Sequence, residues 1–170
     1  LATLLVVAAC GKGAAPCVPP SDIVAAPACN TLVNSAAAIP FTAGVGAPPA
    51  PAGGAITDGL YHATRVEGFG NATPSGRRLT IGVLDGGTRF LWAGDVLDAA
   101  AATTALSFRA NTHVTPAGTQ LAFTVDCASS TPSPIPPSLD YTATAGELVL
   151  SLTTNGATSM TTYTLAGCAE

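Results

Sequence analysis

Leu79-Thr80-Ile81-Gly82-Val83-Leu84-Asp85-Gly86-Gly87-Thr88-Arg89-Phe90-Leu91-Trp92 is the stretch that decides the fold. Leu79, Ile81 and Val83 alternate with Thr80 and Gly82, the period of two expected of a half-buried strand. Asp85-Gly86-Gly87 then tolerates the backbone angles of a tight turn, and Phe90 and Trp92 resume the alternation. The same pattern spreads along the chain. Leu106, Phe108 and Ala110 alternate with Ser107 and Arg109, Leu121, Phe123 and Val125 with Ala122 and Thr124, and Leu148, Leu150 and Leu152 with Val149 and Ser151. Pro116-Ala117-Gly118, Ala145-Gly146 and Asn155-Gly156 punctuate these runs. Eight strands are predicted, at 59–67, 78–84, 88–93, 105–114, 120–127, 139–145, 147–154 and 158–167. The Ala-rich run from Leu97 reads as a loop, because Thr103 and Thr104 interrupt it and it has no apolar stripe.

The spacing of the strands implies how they connect. The links after 67, 93 and 127 are about ten residues or longer, and those after 84, 114 and 145 are tight. In an up-and-down meander alternate links lie at opposite ends, so the long loops gather at one end. Closing eight such strands removes exposed edges. The expected fold class is therefore all-β: one eight-stranded antiparallel up-and-down barrel over residues 58–169. The pattern resembles the calycin-like, lipocalin-like β-barrels in architecture. A membrane-spanning barrel fits poorly. It needs strands of about 9–11 residues and two aromatic girdles, and the chain has one Trp, three Tyr and five Phe.

Ahead of the barrel lies a Pro/Ala/Gly-rich arm, residues 10–57. Pro16, Pro19, Pro20, Pro27, Pro40 and the run Ala47-Pro48-Pro49-Ala50-Pro51-Ala52-Gly53-Gly54 forbid a helix and favour an extended path. A segment around 29–41 carries enough apolar surface to dock. Cys29-Asn30-Thr31-Leu32, the Pro-rich stretch and Gly53-Gly54-Ala55-Ile56-Thr57-Asp58-Gly59-Leu60-Tyr61 together resemble a layout seen in uncharacterised bacterial lipoproteins, a resemblance that implies no activity.

Residues 1–9, Leu-Ala-Thr-Leu-Leu-Val-Val-Ala-Ala, are apolar and run into Cys10. They read as the apolar region of a secretory signal, truncated because no basic segment precedes it. Val7-Ala8-Ala9-Cys10 resembles the lipobox of bacterial lipoproteins, which implies lipidation of Cys10 and membrane attachment through the lipid. In that family Gly11, in place of Asp, implies export to the outer membrane, so the expected location is the bacterial cell envelope.

Cys17, Cys29, Cys127 and Cys168 remain, and an exported chain favours two disulfides among them. In the meander Cys127 ends its strand at the long-loop end and Cys168 lies near the opposite end. A disulfide needs Cα atoms about 4.4–6.8 Å apart, so the expected pairs are Cys29–Cys127 and Cys17–Cys168. The first would pin the Cys29 segment across the long-loop mouth.

Candidate chemistry is sparse. Six Lys and Arg against ten Asp and Glu leave no basic footprint for nucleic acid. No nucleophile, zinc or phosphate motif is present, and no metal or other cofactor is expected. His62 and His113 read as solvated strand residues rather than a shared metal site. Asp85 reads as turn chemistry. Asp95 and Asp98 read as loop carboxylates in preference to an acid pair or a weak Ca²⁺ site. Arg77-Arg78 reads as charge guarding a strand end, with gripping of an anionic group as the functional alternative. Asn71-Ala72-Thr73 matches a glycosylation sequon, of little weight in a bacterial lipoprotein. Phe90, Trp92, Phe108, Phe123, Tyr61 and Tyr163 are assigned to the barrel interior, as core rather than a stacking platform. The expected function is a non-catalytic envelope lipoprotein whose long loops meet a protein or glycan partner. The alternatives are a carrier of a small apolar ligand inside the barrel, for which a cavity of about 300 Å³ or more is the discriminating feature, and an enzyme without a recognisable motif.

Overall fold

A computed structural model describes residues 29–167. Nine strands run in chain order: β1 Phe41–Ala43, β2 Gly59–Phe69, β3 Arg77–Leu84, β4 Arg89–Leu97, β5 Thr104–Ala117, β6 Gln120–Ala128, β7 Ser138–Thr144, β8 Glu147–Thr154 and β9 Ala157–Gly167. Strands β2 to β9 pair antiparallel in sequence order, and β2 also pairs with β9, so the sheet closes. This is the eight-stranded up-and-down barrel that the alternation predicts, consistent with a calycin-like fold. The described residues contain no helix. The long loops 70–76, 98–103 and 129–137 share one end with the tight Asn155-Gly156 turn, and the other three turns share the opposite end.

The inward stripes form one core. Tyr61, Ile81, Val83, Phe90, Trp92, Phe108, Phe123, Tyr141, Leu148 and Tyr163 are all buried in it. Phe90, Trp92 and Phe123 pack as a triad with ring centroids 5.7–6.0 Å apart, in tilted or edge-on geometry. The polar ends of buried rings find partners. The Trp92 indole donates to Thr112 Oγ1 at 3.0 Å, and the Tyr61 hydroxyl to the Thr57 carbonyl at 2.8 Å.

Three features depart from the expected layout. First, β4 extends through Gly94-Asp95-Val96-Leu97, which sequence alone assigns to a loop. Gly94 faces Leu79 and Phe108, and a Cβ there would lie 2.1 Å from Leu79 Cδ2 and 2.8 Å from the Phe108 ring. The glycine makes room for larger neighbours inside a continuous strand. Second, β1 is an addition. Pairing of β2 with β3 stops at His62 and Thr80, and β1 fills the gap as they part. It runs parallel to β2 at Val66 to Gly68, and the neighbouring Ile39 bridges Arg77.

Third, the Cys29 segment does not cross the long-loop mouth. It lies as a strap on the outer wall. Asn30 meets β4 and β5, Asn34 and Ala36 meet β3, and Ser35 meets His62 of β2. Two causes combine. A bulge leaves Asp126 unpaired, with Val125 opposite Thr112 and Cys127 opposite Asn111, so Cys127 turns outward where strict alternation would turn it in. The outer wall also carries Leu60, Leu84, Leu91 and Ala93, which Leu32 covers in a second apolar cluster.

Candidate ligand-binding mouth

The two ends of the barrel are finished differently. At the short-turn end, residues 53–58 run across the opening. Gly53 bonds in parallel to β7, its amide to the Tyr141 carbonyl at 2.9 Å and its carbonyl to the Ala143 amide at 2.7 Å. Gly54 has φ +119, and a Cβ there would lie 2.3 Å from the Ala143 carbonyl oxygen. The conformation and the space both require glycine. The Tyr141 hydroxyl reaches the Gly54 carbonyl at 3.1 Å, Ile56 packs on the core, and Asp58 accepts the amides of Gly86 and Gly87, each at 3.0 Å. Gly53, Gly54, Ile56, Asp58 and Tyr61 of the arm motif are thus fasteners of this closure.

The Cys29-Asn30-Thr31-Leu32 motif has the same character. Cys29 is bonded to Cys127 with Cα atoms 5.6 Å apart, as expected. Asn30 is 1% exposed, yet its amide donates to the Trp92 and Ala110 carbonyls and to Asn111 Oδ1 at 2.9–3.2 Å. Asn111 returns a bond to the Cys29 carbonyl at 2.6 Å. Arg109 donates to the Leu32 and Asn30 carbonyls. Cys10, Cys17 and Cys168 lie outside the described residues, so the lipidation and second-disulfide expectations fall there too.

The long-loop end is open. β6 and β7 pair only from Gln120 to Ala122, so the wall parts above that point. The loop 129–137 fills the breach by burying Ile135 against the core. Beneath the loops lies a cavity of about 170 Å³, walled by Leu79, Trp92, Phe108, Ile135, Leu150 and Tyr163 among others. A more polar vestibule is formed by Asn71, Ala72, Thr73 and Ser75 with the β8–β9 turn, and it shares Arg77, Leu152 and Ser159 with the cavity. Leu106 and Leu152, read as inward residues, stay exposed near this end because their strands run past the core.

Arg77 is the residue that sequence reading placed incompletely. It has the parity of Leu79, Ile81 and Val83, so it points into the mouth rather than guarding an edge. Its guanidinium donates to the Ser75 hydroxyl and to the Gly76 carbonyl, and no carboxylate of the described residues pairs with it. Burial lowers its pKa from the ordinary arginine value, while Tyr163 counteracts this; arginine nonetheless stays charged. Burial drives the Tyr163 phenol well above its usual value, against a smaller opposing effect of Arg77. Tyr163 is therefore a neutral hydroxyl at physiological pH. Parity alone was a signal that could have found Arg77.

The other candidates are committed elsewhere and do not converge. Arg78 faces outward to Asp95 at 3.5 Å, and Asp95 also accepts Ser107 at 2.7 Å and Asn34 at 3.2 Å. Asp98 caps its loop through the Ala102 amide at 2.8 Å, which lowers its pKa. Asp85 takes a positive-φ turn position. His113 is exposed and pairs with Asp126 at 2.8 Å. His62 is not freely solvated as expected, since the strap covers it. Its Nε2 lies 2.9 Å from Ser35 Oγ, and burial lowers its pKa. Among the described residues no group of three or more His, Cys, Asp or Glu is placed to hold a metal ion. No family model, no curated protein and no solved structure matches the chain.

Proposed function

We propose that this protein is a non-catalytic lipoprotein of the bacterial cell envelope, held by a lipid on Cys10, that meets its target with the long-loop end of a calycin-like barrel. The observation carrying the reading is the filling of the interior. Aromatic and aliphatic side chains occupy the barrel axis and leave an apolar cavity of about 170 Å³ at one end, beneath a more open and more polar vestibule of about 560 Å³. The apolar cavity by itself is smaller than the about 300 Å³ that a carrier of drug-sized ligands needs, which supports contact at the rim and vestibule over engulfing of an apolar ligand. The rim has the composition of a contact face. Leu106 and Leu152 are exposed toward this end, and Leu152 lines the vestibule with Asn71, Ala72, Thr73 and Ser75.

Two measurements test it. Metabolic labelling with an alkyne-bearing fatty acid should tag the chain in a bacterial host, and Cys10→Ser should abolish the tag and release the protein from the membrane fraction. A photo-crosslinking residue at position 106 or 152 should capture an envelope component that the same residue at position 146, on the opposite end, does not. Equal capture from both ends would refute the assignment of the contact face.

A further inference from the structure

We propose that the cavity under the long loops is a subsite for a carboxylate borne on a benzene-sized apolar group, with Arg77 as the anion partner. The inference rests on the long-loop end being the binding face and names the chemistry that face accepts.

Size sets the apolar part. The cavity of about 170 Å³ compares with the roughly 150 Å³ apolar cavity that admits benzene. Leu79, Trp92, Phe108, Ile135 and Leu150 line it, so the group that enters is apolar.

Charge sets the polar part. Arg77 lines both the cavity and the vestibule and therefore stands where they join. A guanidinium carries five donors. One terminal nitrogen is used on Ser75 and Gly76, and no carboxylate of the described residues neutralises the charge. Of the other described arginines, Arg65 and Arg78 each have a carboxylate partner, Arg109 is spent on the strap carbonyls, and Arg89 lies beside the β3–β4 turn and lines neither the cavity nor the vestibule. A cation held against an apolar chamber without a counter-ion favours an incoming anion. The surroundings add to this preference for an anion. The Tyr163 hydroxyl, hydrogen-bonded to the Thr161 side chain, and the Ser159 hydroxyl line the same chamber, so polar groups stand beside the guanidinium. The vestibule contains no Asp or Glu to repel the anion.

The same chemistry comes from two sources, a free aryl or branched-chain acid and the C-terminal residue of a peptide with an apolar side chain. Trp92, the only Trp of the chain, lines the cavity, so its indole N–H resonance reports occupancy. The full chain is titrated with phenylacetate, with the neutral isostere phenylacetamide, and with the tripeptide Gly-Gly-Phe carrying a free C-terminus. At least one carboxylate should move the Trp92 resonance, and phenylacetamide should bind about tenfold more weakly or worse, the loss expected when a charge-assisted hydrogen bond is removed. Arg77→Gln should weaken the carboxylate by a similar factor, and Arg77→Lys should restore part of it. Binding of phenylacetate alone assigns free acids, and equal or tighter binding of Gly-Gly-Phe assigns a chain terminus. Equal affinity for acid and amide, indifference to Arg77→Gln in a variant that keeps the wild-type unfolding midpoint, or an unmoved Trp92 resonance with both acids would each overturn the proposal. Should the acids fail while capture from positions 106 and 152 persists, the subsite is wrong and the contact face stands. Should they bind while capture fails, the reverse holds.

Discussion

One barrel, built throughout from the same alternation of apolar and polar residues, has two unlike ends. At the turn end the arm is drawn across the opening and is bonded to the barrel at successive points: Gly53 to β7, Gly54 to Tyr141, Thr57 to Tyr61, Asp58 to the β3–β4 turn. At the loop end nothing comparable crosses. The strands part, a proline-flanked isoleucine fills the breach, and a charged side chain is left facing a small apolar space. The difference teaches that closure here is a property of the arm and not of the strands. Backbone bonds lost at a barrel rim must be met by something, and the sequence that meets them lies outside the barrel.

If the strap and the arm segment 53–58 hold the structure while the loop end carries none of that burden, substitutions should separate by region. The largest effect belongs to Cys127→Ser. The Cys29–Cys127 bond spans 98 residues, and in the chain-entropy model a loop near that length contributes about 4.7 kcal/mol. Urea unfolding of the oxidised protein should show most of this loss, and residues 29–36 should become sensitive to protease. Retention of the wild-type midpoint would show that the strap is held by its hydrogen bonds and Leu32 without the disulfide. Gly54→Ala comes next. It forces a positive-φ side chain toward the Ala143 carbonyl, and strain of this kind costs about 1–3 kcal/mol. The same unfolding experiment measures it.

A smaller effect is set by pH. The folded state lowers the pKa of His62 by burying it under the strap, so as pH falls the unfolded chain takes up this proton first. The stabilisation is therefore complete above the unfolded value of about 6.5 and is lost as pH falls below it. His62→Gln should remove that component of the stability profile between about pH 7.5 and 5.5. The smallest effect is expected at the open end. Leu152→Ala removes an exposed side chain and should stay within about 0.5 kcal/mol of wild type. A substantially larger loss would mean that the mouth bears on the fold after all.

The strands were legible because a period of two needs only residue types, and Leu79-Thr80-Ile81-Gly82-Val83 or Leu148 to Leu152 state it without tertiary help. The Cys29–Cys127 pair was legible because the meander fixes which strand ends share a rim. The course of the strap was not, since it depends on the unpaired Asp126, whose bulge leaves no compositional mark. Gly53-Gly54 read as linker because its function lies in contacts with residues about ninety positions away. Gly94 read as a loop residue because the side chains it accommodates, Leu79 and Phe108, lie on neighbouring strands. Arg77 shares the parity of an inward stripe, but a charge at a strand end is ordinarily a surface feature, and only the cavity beside it distinguishes the two roles.

Native-state hydrogen exchange compares the two ends most directly. The Gly53 and Ala143 amides, bonded across the closed end, should exchange only through unfolding of the whole barrel, while amides of residues 71–75 at the open end should exchange through local fluctuation, orders of magnitude faster. Exchange of Gly53 and Ala143 at the rate of those loop amides would contradict a barrel sealed at one end by its own arm.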